Sequence, residues 1–501
     1  MLLYLTRIII FLSLSVKLAA AEESQTVATT LVENVTVISA HLDQPRHNMD
    51  VLIQDGKVLS VTKTGMNPAS EHLIDGSGKF LIPGLIDSHV HLGHNPMVFR
   101  DNPDEFARLN RSYMRQLPRS FLYHGFTSVI DLDYDPKRNG WLPETPIAPH
   151  VYHCGRGVRV AGGYGPVFVP AEFVHKAFPN LIYEAGHKKH WPVRLEPKRY
   201  DVDAAVQRVV QSGAICLKTY VEAGFGGTFD WPVPSDDTLS SLATAAHHKG
   251  LIFIVHATSA DAWQRAVAAG ADVIGHGLWH WNGDRREAAL TKEAKSAIGN
   301  AVQAGTAVQP TLRIVEGERD TLTWRSLDEP GMAAVLAPEL LTYLHSENGR
   351  WSHEFLLEIY NKHNPHPETS PETLIDVSIK RVRDTMMMFY RSGGELLLGS
   401  DTPSQDGIGN PPGLNGYLEM VSWADAGIPL EKIFRAATLG NARAFGLDDR
   451  IGTIEPGKQA DLLLLNTNPL ADVTAYDDIS AIIVDGKVRL RGTLSAQLQK
   501  P

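Results

Sequence analysis

The sequence predicts an α/β protein, a (β/α)8 TIM-like barrel with a small composite β-sandwich domain built from both chain ends. Three observations predict it. The middle of the chain alternates apolar, β-branched runs with helical patterns, giving eight strand candidates at 85–92, 127–131, 151–155, 214–220, 251–256, 273–276, 307–311 and 396–401. Such alternation belongs to parallel sheets covered by helices. The tetrapeptide Asp-Gly-Lys-Val closes a hairpin pattern near each end, at 55–58 and 485–488. Titratable residues fall at or near the C-terminal ends of five candidate strands, where barrel proteins carry their working groups.

In chain order, residues 1–21 read as a signal peptide. Arg7 precedes an apolar run over 8–16, and Ala19-Ala20-Ala21 offers a small-residue cleavage site before Glu22. Lys17 is an unusual charge at the end of that run. The run is too short to span a bilayer, so the expectation is an exported protein, periplasmic or secreted, with no membrane association after cleavage. Residues 22–83 supply the first part of the β-domain, with a strand at 31–39 and a hairpin at 51–61 turning on Asp55-Gly56. Residues 84–446 form the barrel. Its helical patterns include 204–212, 236–249, 260–269 and 286–304, and Ser235 before Asp236-Asp237 is a helix start. A long irregular stretch, 156–198, follows the third strand. The connection over 313–394 is far beyond an ordinary barrel loop. It carries helical patterns at 338–361 and 371–391 and reads either as a lid over the barrel or as a packing or oligomer element. Residues 447–495 return to the β-domain with a buried strand at 459–465 and a hairpin at 481–488.

The chain has 501 residues, 43% hydrophobic and 21% charged, enough for a large domain plus a smaller one. A net charge of −10 argues against nucleic acid and anionic membranes as partners; the expected partner is a small-molecule substrate. Two cysteines, Cys154 and Cys216, cannot make a disulfide framework. Two buried thiols are the expected state, with a disulfide the alternative for an exported protein.

The chemistry starts at 80–93, where Pro83-Gly84 opens a strand carrying His89 and His91. Residues i and i+2 of a strand share a face, so two imidazoles aim at one point, half of a divalent metal site. His256, His276 and Asp401 end strands five, six and eight, and Lys218 lies near the end of strand four. A lysine in so apolar a strand is costly as a cation. Burial lowers its pKa, and a neutral amine can take up carbon dioxide as an anionic carbamate.

The segment Pro83-Gly84-Leu85-Ile86-Asp87-Ser88-His89-Val90-His91 resembles the signature of the amidohydrolase superfamily. So do His256 and His276, the run Leu397-Leu398-Gly399-Ser400-Asp401-Thr402, and the C-terminal stretches 436–444 and 452–461. The likeness is to the imidazolonepropionase-like branch with Xaa-Pro dipeptidases. It implies two divalent metals, Zn2+ first with Mn, Co or Fe as alternatives. His89, His91 and Asp401 would hold one, His256 and His276 the other, with carbamylated Lys218 between; an uncarbamylated Lys218 beside a single metal is the competing arrangement. A metal-bridging hydroxide would attack a carbon–nitrogen bond, with Asp401 as general base and then general acid. Favoured substrates are N-acyl amino acids or dipeptides. Esters, lactones, carbamates and phosphotriesters suit the same chemistry, and a mononuclear deaminase or cyclic-amide hydrolase is the second enzymatic class. A scaffold that lost catalysis would lack a ligand, and all are present. Arg156, Arg159, Tyr164 and Tyr220 are candidates to bind a substrate carboxylate or an oxyanion. His280, with Trp279 and Trp281, is a candidate pocket wall, and the Gly/Pro-rich loop 402–416 follows Asp401. Tyr164 stands where relatives often carry the histidine of Gly-Gly-His-Gly. A homo-oligomer is left open.

Overall fold

The computed structural model describes residues 29–67, 70–94, 102–142, 145–225, 228–280, 286–364, 366–403 and 408–498. The expected signal peptide and Trp281 lie outside the described residues. No helix among the described residues is long and apolar enough to cross a membrane.

Both chain ends enter one eight-stranded sheet. Thr29–Val37 pairs with Arg46–Gln54, which pairs with Lys57–Lys63, and Phe80–Pro83 pairs antiparallel with Leu462–Leu465. Ile479–Val484 and Lys487–Leu490 extend it on the other side. Hydrogen bonding runs through a single sheet, where a two-sheet sandwich was expected. The two Asp-Gly turns touch, and a Cβ on Gly56 would sit 3.3 Å from the Asp485 carbonyl oxygen. Asp55, Gly56, Asp485 and Gly486 all have positive φ, the geometry of a tight hairpin turn. The sheet's core draws on both ends, with Val35, Val51 and Leu81 against Leu462 and Ile483.

The parallel strands come in two groups. Leu85–Val90, Phe126–Asp131 and His150–His153 form one, and Cys216–Tyr220, Ile252–His256, Val273–Gly275 and Ala307–Gln309 the other. Helices Val202–Gln211, Asp236–His248, Ala260–Ala269 and Lys292–Ala304 follow the strands in alternation. The expected eighth strand at 396–401 is extended chain held by single bonds. Leu396 bridges Val308, Ser88 N donates to the Leu398 carbonyl (3.0 Å), and Asp401 N donates to the His89 carbonyl (2.7 Å). At Ser400 a side chain takes the place of a backbone partner, and at Leu398 one adds to it. Asp87 accepts from Ser400 N at 3.0 Å, and Asn441 donates to the Leu398 carbonyl at 2.8 Å. One buried cluster contains Ile86, Ile130, Cys154, Cys216, Ile254, Val273, Ala307 and Leu397, one residue from each strand position.

Cys154 and Cys216 are joined in a disulfide. The expectation of two thiols does not hold, because the neighbouring strands bring their Cα atoms to 4.3 Å. Within 313–394, helix Pro371–Arg391 matches its pattern, whereas 338–361 splits into Pro338–Leu344 and Trp351–His363. Gly349 sits in the break, pressed against Tyr343 and Leu344. The pattern at 286–304 becomes helical only at Lys292, where Thr291 caps the first turn by accepting from Ala294 N.

Candidate metal centre

The strand ends bring the expected residues to one place. His89 Nε2 and His91 Nε2 lie 3.4 and 3.0 Å from Asp401 Oδ1. His276 Nδ1 is 3.7 Å from Asp401 Oδ2, and His276 Nε2 meets His256 Nδ1 at 2.9 Å. Lys218 follows Cys216 by two residues and His256 follows Ile254 by two, so each stands above the interior cluster on the same strand face. Lys218 is 1% exposed, and its Nζ makes no hydrogen bond.

Three neighbours meet the imidazoles. His89 Nδ1 donates to Gln309 Oε1 (3.1 Å), whose amide is fixed by donating to the Ser88 carbonyl (2.8 Å). That leaves the His89 Nε2 lone pair facing Asp401. His276 Nδ1 pairs with Thr311 Oγ1 at 2.8 Å. Glu222 approaches His256 Nε2 at 3.6 Å. Gln309, Thr311 and Glu222 were missed in the sequence; all lie at or just past strand ends, but no local signal says which imidazole each one meets.

Electrostatics follow from burial. Burial holds His89 and His276 well below the usual imidazole range, with Lys218 adding to the effect on His89 and His256 to that on His276. Burial pushes the Lys218 amine down to about 7, against the pull of Asp401. Burial pushes Asp401 up, but His89, His91 and His276 outweigh it and keep the carboxyl below the usual carboxylate range. Neutral imidazoles, an ionised carboxylate and a readily neutralised amine are the forms in which these groups bind divalent cations. The clearance also fits. A Cβ on Gly275 would fall 2.7 Å from Lys218 Nζ and 3.2 Å from His89 Cε1. The Lys218 amine can swing aside but the His89 ring is held by Gln309, so Gly275→Ala is expected to destabilise the fold by about 1 kcal/mol. A thermal melt of the variant checks this, and an unchanged transition would refute the crowding.

The other candidates are placed as follows. Arg156 and Arg159 come to the polar side, where both guanidinium groups are held by Asp133, Arg159 at 2.9 Å and Arg156 at 3.2 Å. Arg159 also lies over the Tyr220 ring at 3.9 Å. Tyr220 is buried, with its ring 5.5 Å from His256. Tyr164 stacks on His256 at 4.9 Å. His280 is 6.0 Å from Phe225 and stacks with Trp279, which in turn covers His276.

Parallel strands presenting such a donor set at their ends define a hydrolytic metal-centre architecture. The amidohydrolase family profile matches residues 80–489, and the chain belongs to that family. It is a hydrolase acting on carbon–nitrogen bonds, in a family that generally uses divalent metal ions. It is similar to an L-hydantoinase of Paenarthrobacter aurescens, 40% identical over 450 residues, covering 83% of this chain and 81% of that protein. It is also similar to an ochratoxinase of Aspergillus niger, 23% identical over 474 residues, covering 91% and 86%. In fold it is similar to a Xaa-Pro dipeptidase solved with bound methionine, with a TM-score of 0.64, 20% identity and coverage of 92% and 100%.

Proposed function

We propose that this chain is a binuclear metal-dependent amidase or dipeptidase whose substrates are N-acyl amino acids or dipeptides. The observation that carries the reading is the convergence of four histidines and Asp401 around a buried lysine amine with no hydrogen-bond partner. His89, His91 and Asp401 would hold one cation and His256 and His276 the other, with Lys218, as its carbamate, supplying an anionic donor between them. Zn2+ suits this histidine-rich set. When bound, such a pair lowers the pKa of water towards about 7 and polarises a carbonyl. Asp401 takes the proton from the attacking water on a carboxylate oxygen and returns it to the departing nitrogen. Gln309 and Thr311 keep His89 and His276 turned towards the centre. The aromatic and apolar residues around His256 limit water near the bond.

In the same reading the two groups of parallel strands and the segment 396–402 make one (β/α)8 barrel over 84–446. The eight-position interior cluster supports closure. The 313–394 insertion would act as a lid, and 22–83 with 447–495 would form the β-domain. Export, with cleavage after residue 21, is supported by the buried Cys154–Cys216 disulfide, since such bonds persist in oxidising compartments.

The test uses residues 22–501 reconstituted with zinc, with and without bicarbonate, and a mixed panel of dipeptides, N-acyl amino acids, esters, lactones and phosphotriesters. Expected are two metal equivalents, loading assisted by bicarbonate, and release of free amino acids. Lys218→Ala should retain no more than one equivalent and lose about 10³-fold in rate. Full activity of that variant would overturn the bridging role. Cleavage of esters, lactones or phosphotriesters alone would overturn the substrate assignment.

A further inference from the structure

The two sides of the centre differ in chemistry. Beside His89 and His91 stand polar groups, with the His94 ring stacked on His91 at 5.2 Å and Asp133 gripping Arg156 and Arg159, the latter reaching across to lie over the Tyr220 ring at 3.9 Å. Beside His256 stands a continuous wall of rings. Tyr164 lies almost parallel to His256, with ring centroids 4.9 Å apart. Tyr164 then meets Phe168 at 6.1 Å, Phe225 at 5.7 Å and Trp231 at 5.9 Å, and Phe229 stacks on Trp231 at 4.7 Å. We propose that this wall is a substrate subsite, and that preferred substrates carry a planar aromatic ring close to the scissile bond. The inference rests on the amide-hydrolysis reading above and narrows it.

Three features carry it. The wall reaches water: Phe168 is 60% exposed and its neighbour Val167 42%. Exposed apolar surface contiguous with a reaction centre is costly unless something covers it. The rings offer both faces and edges, since Phe168 stands edge-on to Tyr164 and to Trp231 at 87° and 83°. Aromatic pairs prefer edge-to-face and offset contacts, which a planar ring can satisfy and a methyl group cannot. The wall is also held in place before any ligand arrives. Glu222, beside His256, accepts from Gly224 N at 2.8 Å and Phe225 N at 2.6 Å, and Trp231 N donates to the Ala223 carbonyl at 2.9 Å. Gly162 and Gly165 take positive φ around Tyr164, and a Cβ on Gly165 would meet Arg159 Nε at 2.8 Å. The turn presenting Tyr164 therefore admits no side chain at that position. Preorganised surfaces lose less ordering entropy on binding.

The zinc-loaded protein is assayed with N-acetyl-alanine, N-acetyl-phenylalanine and N-benzoyl-alanine. At least one aromatic substrate is expected to exceed N-acetyl-alanine in kcat/KM by about 10-fold. In Phe168→Ala that ratio should fall towards one, whereas in Phe173→Ala, outside the ring wall, it should persist. Equal kcat/KM for all three substrates, or a ratio unmoved in Phe168→Ala, overturns the subsite. If none of the three is cleaved, the amidase reading fails, and the subsite is decided by calorimetric binding of the same compounds. Aromatic compounds binding about 10-fold tighter, with the margin lost in Phe168→Ala, support it, and equal affinities overturn it.

Discussion

Asp401→Asn is expected to lower kcat by about 10³–10⁴-fold while leaving the fold intact. Asparagine has the same shape as aspartate. It also tolerates the left-handed backbone at this position, where φ is 55°. The backbone bond from residue 401 N to the His89 carbonyl, 2.7 Å, is untouched. What disappears is charge and basicity. The carboxylate lies within 3.0–3.7 Å of three imidazoles, and a neutral amide can neither complete the His89/His91 site as an anion nor carry a proton. Metal content should fall by up to one equivalent alongside the rate. A variant retaining more than a tenth of wild-type kcat, with an unchanged melt, would remove Asp401 from proton transfer.

Much of this site was legible because strand ends are periodic and punctuated. His89/His91 sit two apart on an apolar run, and His256 and His276 close runs that stop at Ala257 and Gly277. Local signals also set helix ends: Ser259 caps Ala260–Ala269, and Gly270 closes it with φ of 91°. What was not legible depends on partners distant in sequence. The eighth strand gives its Ser400 N–H to Asp87, 313 residues away, and shares its Leu398 carbonyl between Ser88 N and Asn441, 43 residues away. Gln309 is an ordinary polar residue until Ser88, 221 positions earlier, turns its amide towards His89. The ring wall draws on Tyr164, Phe168, Phe225 and Trp231, from two stretches in which no sequence period marks a face. Sequence periodicity finds what faces the core of one element, whereas these features depend on two elements meeting.

Removing the disulfide with Cys154→Ala/Cys216→Ala is expected to cost about 4 kcal/mol of stability, read as a lower urea midpoint. The bridge closes 62 residues of chain, and releasing a loop of that length returns roughly this much entropy to the unfolded state. Position raises the stakes. The strands His150–His153 and Cys216–Tyr220 belong to separate hydrogen-bonded groups. Between them run the Ile215 N to His153 carbonyl bond, 2.9 Å, and, farther on, the Val158 N to Lys218 carbonyl bond, 2.8 Å. The disulfide spans this seam inside the interior cluster, two residues before Lys218. The strand's other edge pairs in register with Ile252–His256, and on this sparsely bonded edge the covalent link adds to the hold on Lys218. The variant should therefore also release metal faster than the wild type during chelator challenge below the unfolding transition. An unchanged urea midpoint would refute the stabilising role. A lowered midpoint with unchanged metal release would confine the bridge to stability and leave Lys218 held by its backbone bonds alone.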